Sequence, residues 1–219
     1  MSQANAERRL SPSAITSYGR FSSNSKPLKD TDIQPHFRVR AAQIKDLEQI
    51  VSVLLNSFYT QAKATQWLYW ILRLGIQEDI KAKLKAPANQ YACLVATTLH
   101  PNSAHSDRII GTAEISQRPC ETWQFFPPQR AYLSNLAIAP HHRRKGGAQQ
   151  LIATCETIAL EWGFRHLYLH VMADNTAAKQ LYEQAGYQIR EVSNPVLSGL
   201  GLRPQRLLLA KRLPTQRSK

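Results

Sequence analysis

Six consecutive residues, Arg143-Arg144-Lys145-Gly146-Gly147-Ala148, place three cations and three small residues where an apolar run ends and a helical pattern begins. That combination suits an anion. Small residues let a ligand approach the backbone, the first amides of a helix point outward without acceptors, and the helix dipole favours negative charge there. The natural guest is a phosphate or diphosphate. Neither usual nucleotide signature is present, since the chain contains no GxGxxG and no GxxxxGK[ST]. A solvated basic loop is the plain alternative for this turn taken by itself.

The elements that must position the turn can be read on either side of it. Tyr132 to Ala139 is an apolar run of strand length that stops at Pro140. After the turn, Leu151, Ile152, Cys155, Ile158, Ala159 and Trp162 recur at helical spacing, and Gly163 is placed to end the helix. A strand follows from His166 to Met172, alternating Leu167, Leu169 and Val171 with Tyr168 and His170. Asp174 or Asn175 can then cap a short helix to Ala185, with Gly186 as its stop. The unit is strand, turn, helix, strand, helix.

Arg-x-x-Gly-x-Ala at 143 to 148, after a strand ending LAIAP and before DNTAAKQLYEQAGY, resembles the GNAT superfamily of acetyl-CoA-dependent N-acetyltransferases. The likeness is close over Tyr132 to Tyr187 and looser over Phe37 to Val192. It is greatest to the branch acting on protein N-termini, including ribosomal-protein-alanine and plastid or cyanobacterial members. The resemblance implies a mixed α/β (α+β) fold, a twisted central sheet of about six or seven strands with helices on both faces.

It also implies roles. Backbone groups of Leu136, Ala137 and Ile138 would pair with the pantetheine arm of acetyl-CoA like an added strand and polarise its thioester. Arg143, Arg144, Lys145, Gly146, Gly147 and Ala148 would cradle the diphosphate, and Asn175 would contact the cofactor near its pantetheine arm. Gly147 departs from the family pattern, which usually has a branched apolar residue there. Tyr182, seven residues after Asn175, matches the general acid, a phenol able to protonate a departing thiolate. His170 matches the general base of related N-terminal acetyltransferases, and Tyr132 a tyrosine that assists it. Glu114 is the reserve candidate, a carboxylate on a neighbouring strand that could activate a water. The reaction implied is direct attack of an amine on the thioester in a ternary complex, without a metal.

Acid–base arithmetic narrows the acceptor. At pH 7 an α-amine with a pKa near 8 needs about 1.4 kcal/mol to become neutral, whereas a lysine near 10.4 needs about 4.6 kcal/mol. A histidine base suits the first, so a protein N-terminal α-amine is the expected acceptor, with lysine as a second activity. The alternatives are a small amine such as a polyamine, and a non-catalytic module of the same fold that binds ribosome or nucleic acid. Possession of both the basic turn and Tyr182 argues against a pure binder.

The rest of the chain sets limits. With 219 residues, 43% of them hydrophobic, it suits one domain, expected over residues 36–213. Residues 1–35 are rich in Ser, Arg and Lys without periodicity and read as a disordered tail; 214–219 form a basic C-terminal tail. No apolar run reaches the roughly 20 residues of a membrane span, so no membrane partner is expected. Three widely spaced cysteines, Cys93, Cys120 and Cys155, suit free thiols in a reducing compartment. The cytoplasm is the expected location; the plastid stroma is the alternative, because a transit peptide shares the composition of residues 1–35. Of the net charge of +13, residues 1–40 carry +4, from seven Lys or Arg against three acids, and residues 203–219 carry +6 from six bases and no acid. Such ends can steer the protein to a ribosome or an acidic protein.

An alternating strand opens the domain at Phe37 to Ala42, followed by a helix from Asp46 with Leu47, Ile50, Val51, Leu54 and Leu55 on one face. A second helix is expected over Trp67 to Lys85, its Trp67, Tyr69 and Trp70 candidates for core packing or substrate contact. Gln90 to Leu99 and Arg108 to Arg118 read as an antiparallel pair, Pro119 to Arg130 as an aromatic-rich loop, and Tyr187 to Ser193 and Arg206 to Arg212 as closing strands.

Overall fold

In chain order, β1 (Phe37–Ala41) leads through a 3-10 turn (Ile44–Asp46) into α1 (Leu47–Phe58) and α2 (Gln66–Lys83). Three strands follow, β2 (Tyr91–Thr98), β3 (Arg108–Pro119) and β4 (Gln129–Ile138), then a 3-10 turn (Pro140–His142) and α3 (Gly147–Glu161). The chain closes with β5 (His166–Met172), α4 (Thr176–Gln184), β6 (Gln188–Ser193) and β7 (Arg206–Arg212). This computed structural model describes residues 37–58, 66–98, 108–120, 128–193 and 205–214, the side chains of 66–70 excepted. The N-terminal tail, the C-terminal tail beyond Pro214, the side chains of Trp67, Tyr69 and Trp70, and the aromatic cluster Trp123 to Pro127 lie outside the described residues.

The seven strands form one mixed sheet in the order β1-β2-β3-β4-β5-β7-β6. All neighbours are antiparallel except β4 and β5, which run parallel. That single parallel junction follows from connectivity, because a strand–helix–strand unit returns its second strand in the same direction as the first. The apolar faces read from the sequence decide the layers. Leu151, Ile152, Cys155, Ile158 and Ala159 of α3 pack with Leu133, Leu167, Leu169 and Leu209 on one face of the sheet. Leu47, Ile50, Val51, Leu54 and Leu55 of α1 pack with Cys93, Val95 and Ile109 on the other. Each fully buried aliphatic side chain contributes about 1.5–3 kcal/mol of transfer free energy, so these two faces hold the layers together.

Several boundaries differ from the sequence reading by a residue or more. β4 begins at Gln129, not Tyr132, because pairing with β3 carries polar Gln129 and Arg130 into the ladder; the loop after β3 is correspondingly shorter. α3 begins at Gly147, a full turn before Leu151, the first of its large side chains to be buried. Asp46 ends the 3-10 turn rather than starting the helix. Its carboxylate accepts from the Gln43 amide at 2.8 Å and from both terminal nitrogens of Arg40.

Two close approaches shape β4. Gly111 lies opposite Ile138, and a Cβ there would stand 2.4 Å from Ile138 Cδ1 and 3.0 Å from the Ala137 carbonyl oxygen, so only glycine fits. Between the pairs Glu114–Ser134 and Thr112–Ala137, β4 carries one residue more than β3. The resulting bulge contains Asn135 at φ 51°, a left-handed conformation that asparagine tolerates better than most residues.

Candidate active site

The sheet is open at its parallel junction. β4 and β5 share only the rungs Ala131–Leu167 and Tyr132–Tyr168, and among the described residues β4 has no partner in β5 beyond Tyr132. The remainder of β4, including Leu136, Ala137 and Ile138, therefore borders a gap on its β5 side while it stays paired to β3 on the other. Ala137 and Ile138 are buried and Leu136 half-buried. The Ile138 carbonyl accepts from Ser57 Oγ at 3.3 Å and from Arg143 Nε at 3.1 Å, which ties the end of the strand to α1 and to the basic turn.

At the mouth of the gap stands the turn. Arg144 has φ 63° and Gly146, the N-cap of α3, has φ 86°. Among the described residues no side chain caps this helix. Its first bond beyond the cap runs from the Gln150 amide to the Gly146 carbonyl at 3.2 Å, so by helix geometry the amides of Gly147, Ala148 and Gln149 have no intrahelical acceptor. Arg143, Arg144 and Lys145 are exposed. Nearby, burial together with the charges of Lys145, Arg108 and His141 holds the His142 imidazole below its usual pKa. Unsatisfied amides within a positive field are what a diphosphate requires, so these residues fit one. A Cβ at Gly147 would meet Ile138 and Phe37 at ordinary contact distances, so the missing side chain would point into the core and not toward the turn's open side.

Where the strands part, Tyr132 Oη and His170 Nδ1 lie 2.6 Å apart with their rings 5.7 Å between centroids. Tyr132 is buried and His170 half-buried. The Arg118 guanidinium lies 4.0 Å from the Tyr132 ring centroid on one strand neighbour, and Arg130 lies 5.9 Å away. Tyr182, buried on α4, meets the Tyr187 ring edge-on at 5.8 Å. Burial pushes the Tyr182 phenol above its usual range, with smaller contributions from Cys155 and Tyr132. It therefore keeps its proton at any physiological pH. Asn175 caps α4, its Oδ1 accepting from the Ala178 amide at 3.1 Å.

Glu114 is only 1% exposed. Its Oε1 accepts from Asn135 Nδ2 at 2.7 Å, and Lys83 lies 3.6 Å from Oε2. Burial first and the Glu114 charge second push the neighbouring Cys93 thiol up to about 12. The carboxylate thus anchors the bulge from inside the sheet. Four residues that sequence reasoning passed over belong here: Asn135, Arg118, Arg130 and Ser134. Asparagine inside an apolar strand run was a usable signal for the bulge. The two arginines gave none, since only the pairing register brings them together.

A sheet split between two parallel strands, with a basic turn of unpaired amides at the end of one and a tyrosine–histidine pair at the split, defines a class of protein with room for an extended ligand along an open strand edge. The comparisons agree with that class. The model of the Acetyltransferase (GNAT) family matches residues 61–187, and the chain belongs to that family. It is 35% identical over 136 residues to GCN5-related N-acetyltransferase 10, chloroplastic, of Arabidopsis thaliana, covering 59% of this chain and 53% of the relative. GCN5-related N-acetyltransferase 7, chloroplastic, of the same organism is 45% identical over 87 residues, covering 39% and 31%. The chain thus spans about half or less of the length of these relatives. The fold is shared with PaiA N-acetyltransferase of Thermoplasma acidophilum in complex with coenzyme A, at a TM-score of 0.59, 16% identity, and 80% and 98% coverage. It is shared also with the ribosomal-protein-S18-alanine N-acetyltransferase of Escherichia coli, at 0.52, 16%, and 84% and 99%.

Proposed function

We propose that this chain moves an acetyl group from acetyl-CoA to the α-amine of a protein N-terminus, with lysine side chains as slower acceptors. The observation that carries the reading is the Tyr132–His170 hydrogen bond at the place where β4 leaves β5. When bound, acetyl-CoA supplies an acetyl group activated as a thioester.

The chain's residues divide the remaining work. Amides of Gly147, Ala148 and Gln149, with Arg143, Arg144 and Lys145 around them, hold the diphosphate. The β5-facing edge of Leu136 to Ile138 orients the pantetheine arm and offers an amide to the carbonyl oxygen. His170 takes the proton that the amine loses as its nitrogen bonds to the acetyl carbon. If Nδ1–H donates to Tyr132, the other ring nitrogen is the basic one, so Tyr132 sets the tautomer as well as the ring's position. Tyr182 gives its proton to the departing sulfur. Burial makes an isolated tyrosinate costly there, so reprotonation must be rapid, and the proton held by His170 can supply it.

The location proposed is the plastid stroma in preference to the cytoplasm, supported by relatives whose names carry "chloroplastic". Acetyl-CoA turnover against a peptide library with free N-termini, with His170→Ala and Tyr182→Phe in parallel, tests the reading. Peptides should be acetylated, and Tyr182→Phe should lose turnover while retaining acetyl-CoA affinity. Efficient turnover of a polyamine with no turnover of peptides would overturn it.

A further inference from the structure

Arg118 and Arg130 stand directly opposite each other in the β3–β4 ladder, so their side chains share a face of the sheet. Both lean on Tyr132, and Arg130 also lies 5.6 Å from the Tyr168 ring centroid. Like charges at opposed positions destabilise a sheet, and a carboxylate between them is the usual remedy. Among the described residues none supplies it. Among the described residues Arg118 donates to the hydroxyls of Ser116 at 3.3 Å and Ser134 at 3.4 Å and to no carboxylate. The Nε of Arg130 is buried with no hydrogen-bond partner among the described residues. Glu114, farther along β3, is already committed to Asn135 and Lys83. Arg118 and Ser116 also line a cavity of about 550 Å³ together with Lys83, Tyr91 and Gln90.

The cofactor's diphosphate does not explain this pair. Arg130 and Ile138 lie opposite Arg118 and Gly111, seven rungs apart on β3 or about 23 Å at 3.3 Å per residue, and the basic turn lies beyond that. The pair adjoins instead the tyrosine that bonds to His170, where the accepting amine must arrive. We propose that Arg118 and Arg130 bind a carboxylate of the acceptor, so that the enzyme selects N-termini with an acidic side chain at the first or second residue. The inference rests on the N-terminal acetyltransferase reading. Two guanidiniums with donors to spare provide charge-assisted bonds that a neutral side chain cannot replace, and a cationic side chain there is repelled.

The test compares peptides differing only at residues one and two, as Asp or Glu, Asn or Gln, and Lys, with wild type, Arg118→Gln, Arg130→Gln and Arg118→Lys. Acidic peptides should exceed neutral ones by at least about tenfold in kcat/KM, mainly through KM, and lysine peptides should be poorest. Each Gln variant should shrink the acidic-over-neutral ratio several-fold, Arg118→Lys should keep part of it, and both Gln variants should hold or raise Tm as the like-charge contact is relieved. Equal turnover of acidic and neutral peptides overturns the subsite and leaves the peptide reading standing. A common loss on all peptides, or a Tm lowered by several degrees in both Gln variants, marks the pair as structural and also overturns it. Turnover of free glutamate dependent on Arg118, with no turnover of peptides, keeps the subsite and sinks the peptide reading.

Discussion

The Tyr132 hydroxyl and His170 Nδ1 are bonded at 2.6 Å across the last rungs that β4 and β5 share. Removing either end should therefore separate positioning from proton transfer. Tyr132→Phe loses the hydroxyl but keeps the ring under Arg118, and kcat should fall about 10–100-fold with acetyl-CoA affinity retained. His170→Ala should cost about 10²–10⁴-fold, the usual range for a general base. Steady-state kinetics with calorimetric cofactor binding checks both. Equal turnover of His170→Ala and wild type would remove His170 from the chemistry.

A second expectation concerns charge at the basic turn. Burial and the cations Lys145, Arg108 and His141 depress the His142 pKa, because they disfavour its protonated form. An anion seated among them favours that form, so coenzyme A should raise the depressed His142 pKa. Binding should then take up protons and tighten as pH falls through the imidazole range. Histidine NMR titration with and without coenzyme A reads this directly; an unmoved His142 places the diphosphate elsewhere.

The two glycines near Ile138 should respond in opposite directions. Gly111→Ala forces a methyl against Ile138 and the Ala137 carbonyl and should destabilise the fold by about 1–3 kcal/mol. Gly147→Ala meets only ordinary contacts at the start of α3 and should stabilise it by about 0.5 kcal/mol or more, by reducing unfolded-chain entropy. Chemical denaturation of both variants is the measurement. A destabilised Gly147→Ala would show that the turn needs glycine for its backbone and not merely for lack of bulk.

Asp46 should make the fold acid-sensitive. Burial alone would raise its pKa, but the Arg40 and Gln43 hydrogen bonds outweigh it and hold the group below the ordinary carboxylate value. A depressed folded-state pKa contributes stability above the unfolded value of about 3.9 and loses it as pH falls through the folded value. The Tm gap between wild type and Asp46→Asn should thus be widest near neutrality and narrow below about pH 4. A gap independent of pH would mean that the carboxylate's charge contributes nothing there.

Most of the framework could be read from periodicity. β5 begins and ends where the alternation of Leu167, Leu169 and Val171 places it, and Gly163 and Gly186 stop their helices at φ 87°. What escaped was whatever pairing decides. Gln129 and Arg130 are polar, so nothing in their composition marks them as strand; β3 recruits them. The gap between β4 and β5 is likewise a property of two strands at once. Tyr132 and His170 could be nominated from motif spacing, but their bond depends on a register set by Tyr132–Tyr168. Arg118 was placed at the end of a strand and Arg130 in the loop after it, and only the ladder makes them neighbours.

The extra residue at Asn135 does more than bend a strand. Tyr132 and Ser134 look toward the side of the sheet carrying Glu114, as does Ala137, whereas Ile138 joins the α3 cluster. The even–odd phase of the strand is reversed at that point. Pairing the same residues without the bulge would turn the far half of β4 inside out, sending Ile138 toward α1 and Ala137 toward α3 while Tyr132 and Ser134 stayed in place; deleting Asn135 instead would restore plain alternation and leave Ala137 and Ile138 on their present faces.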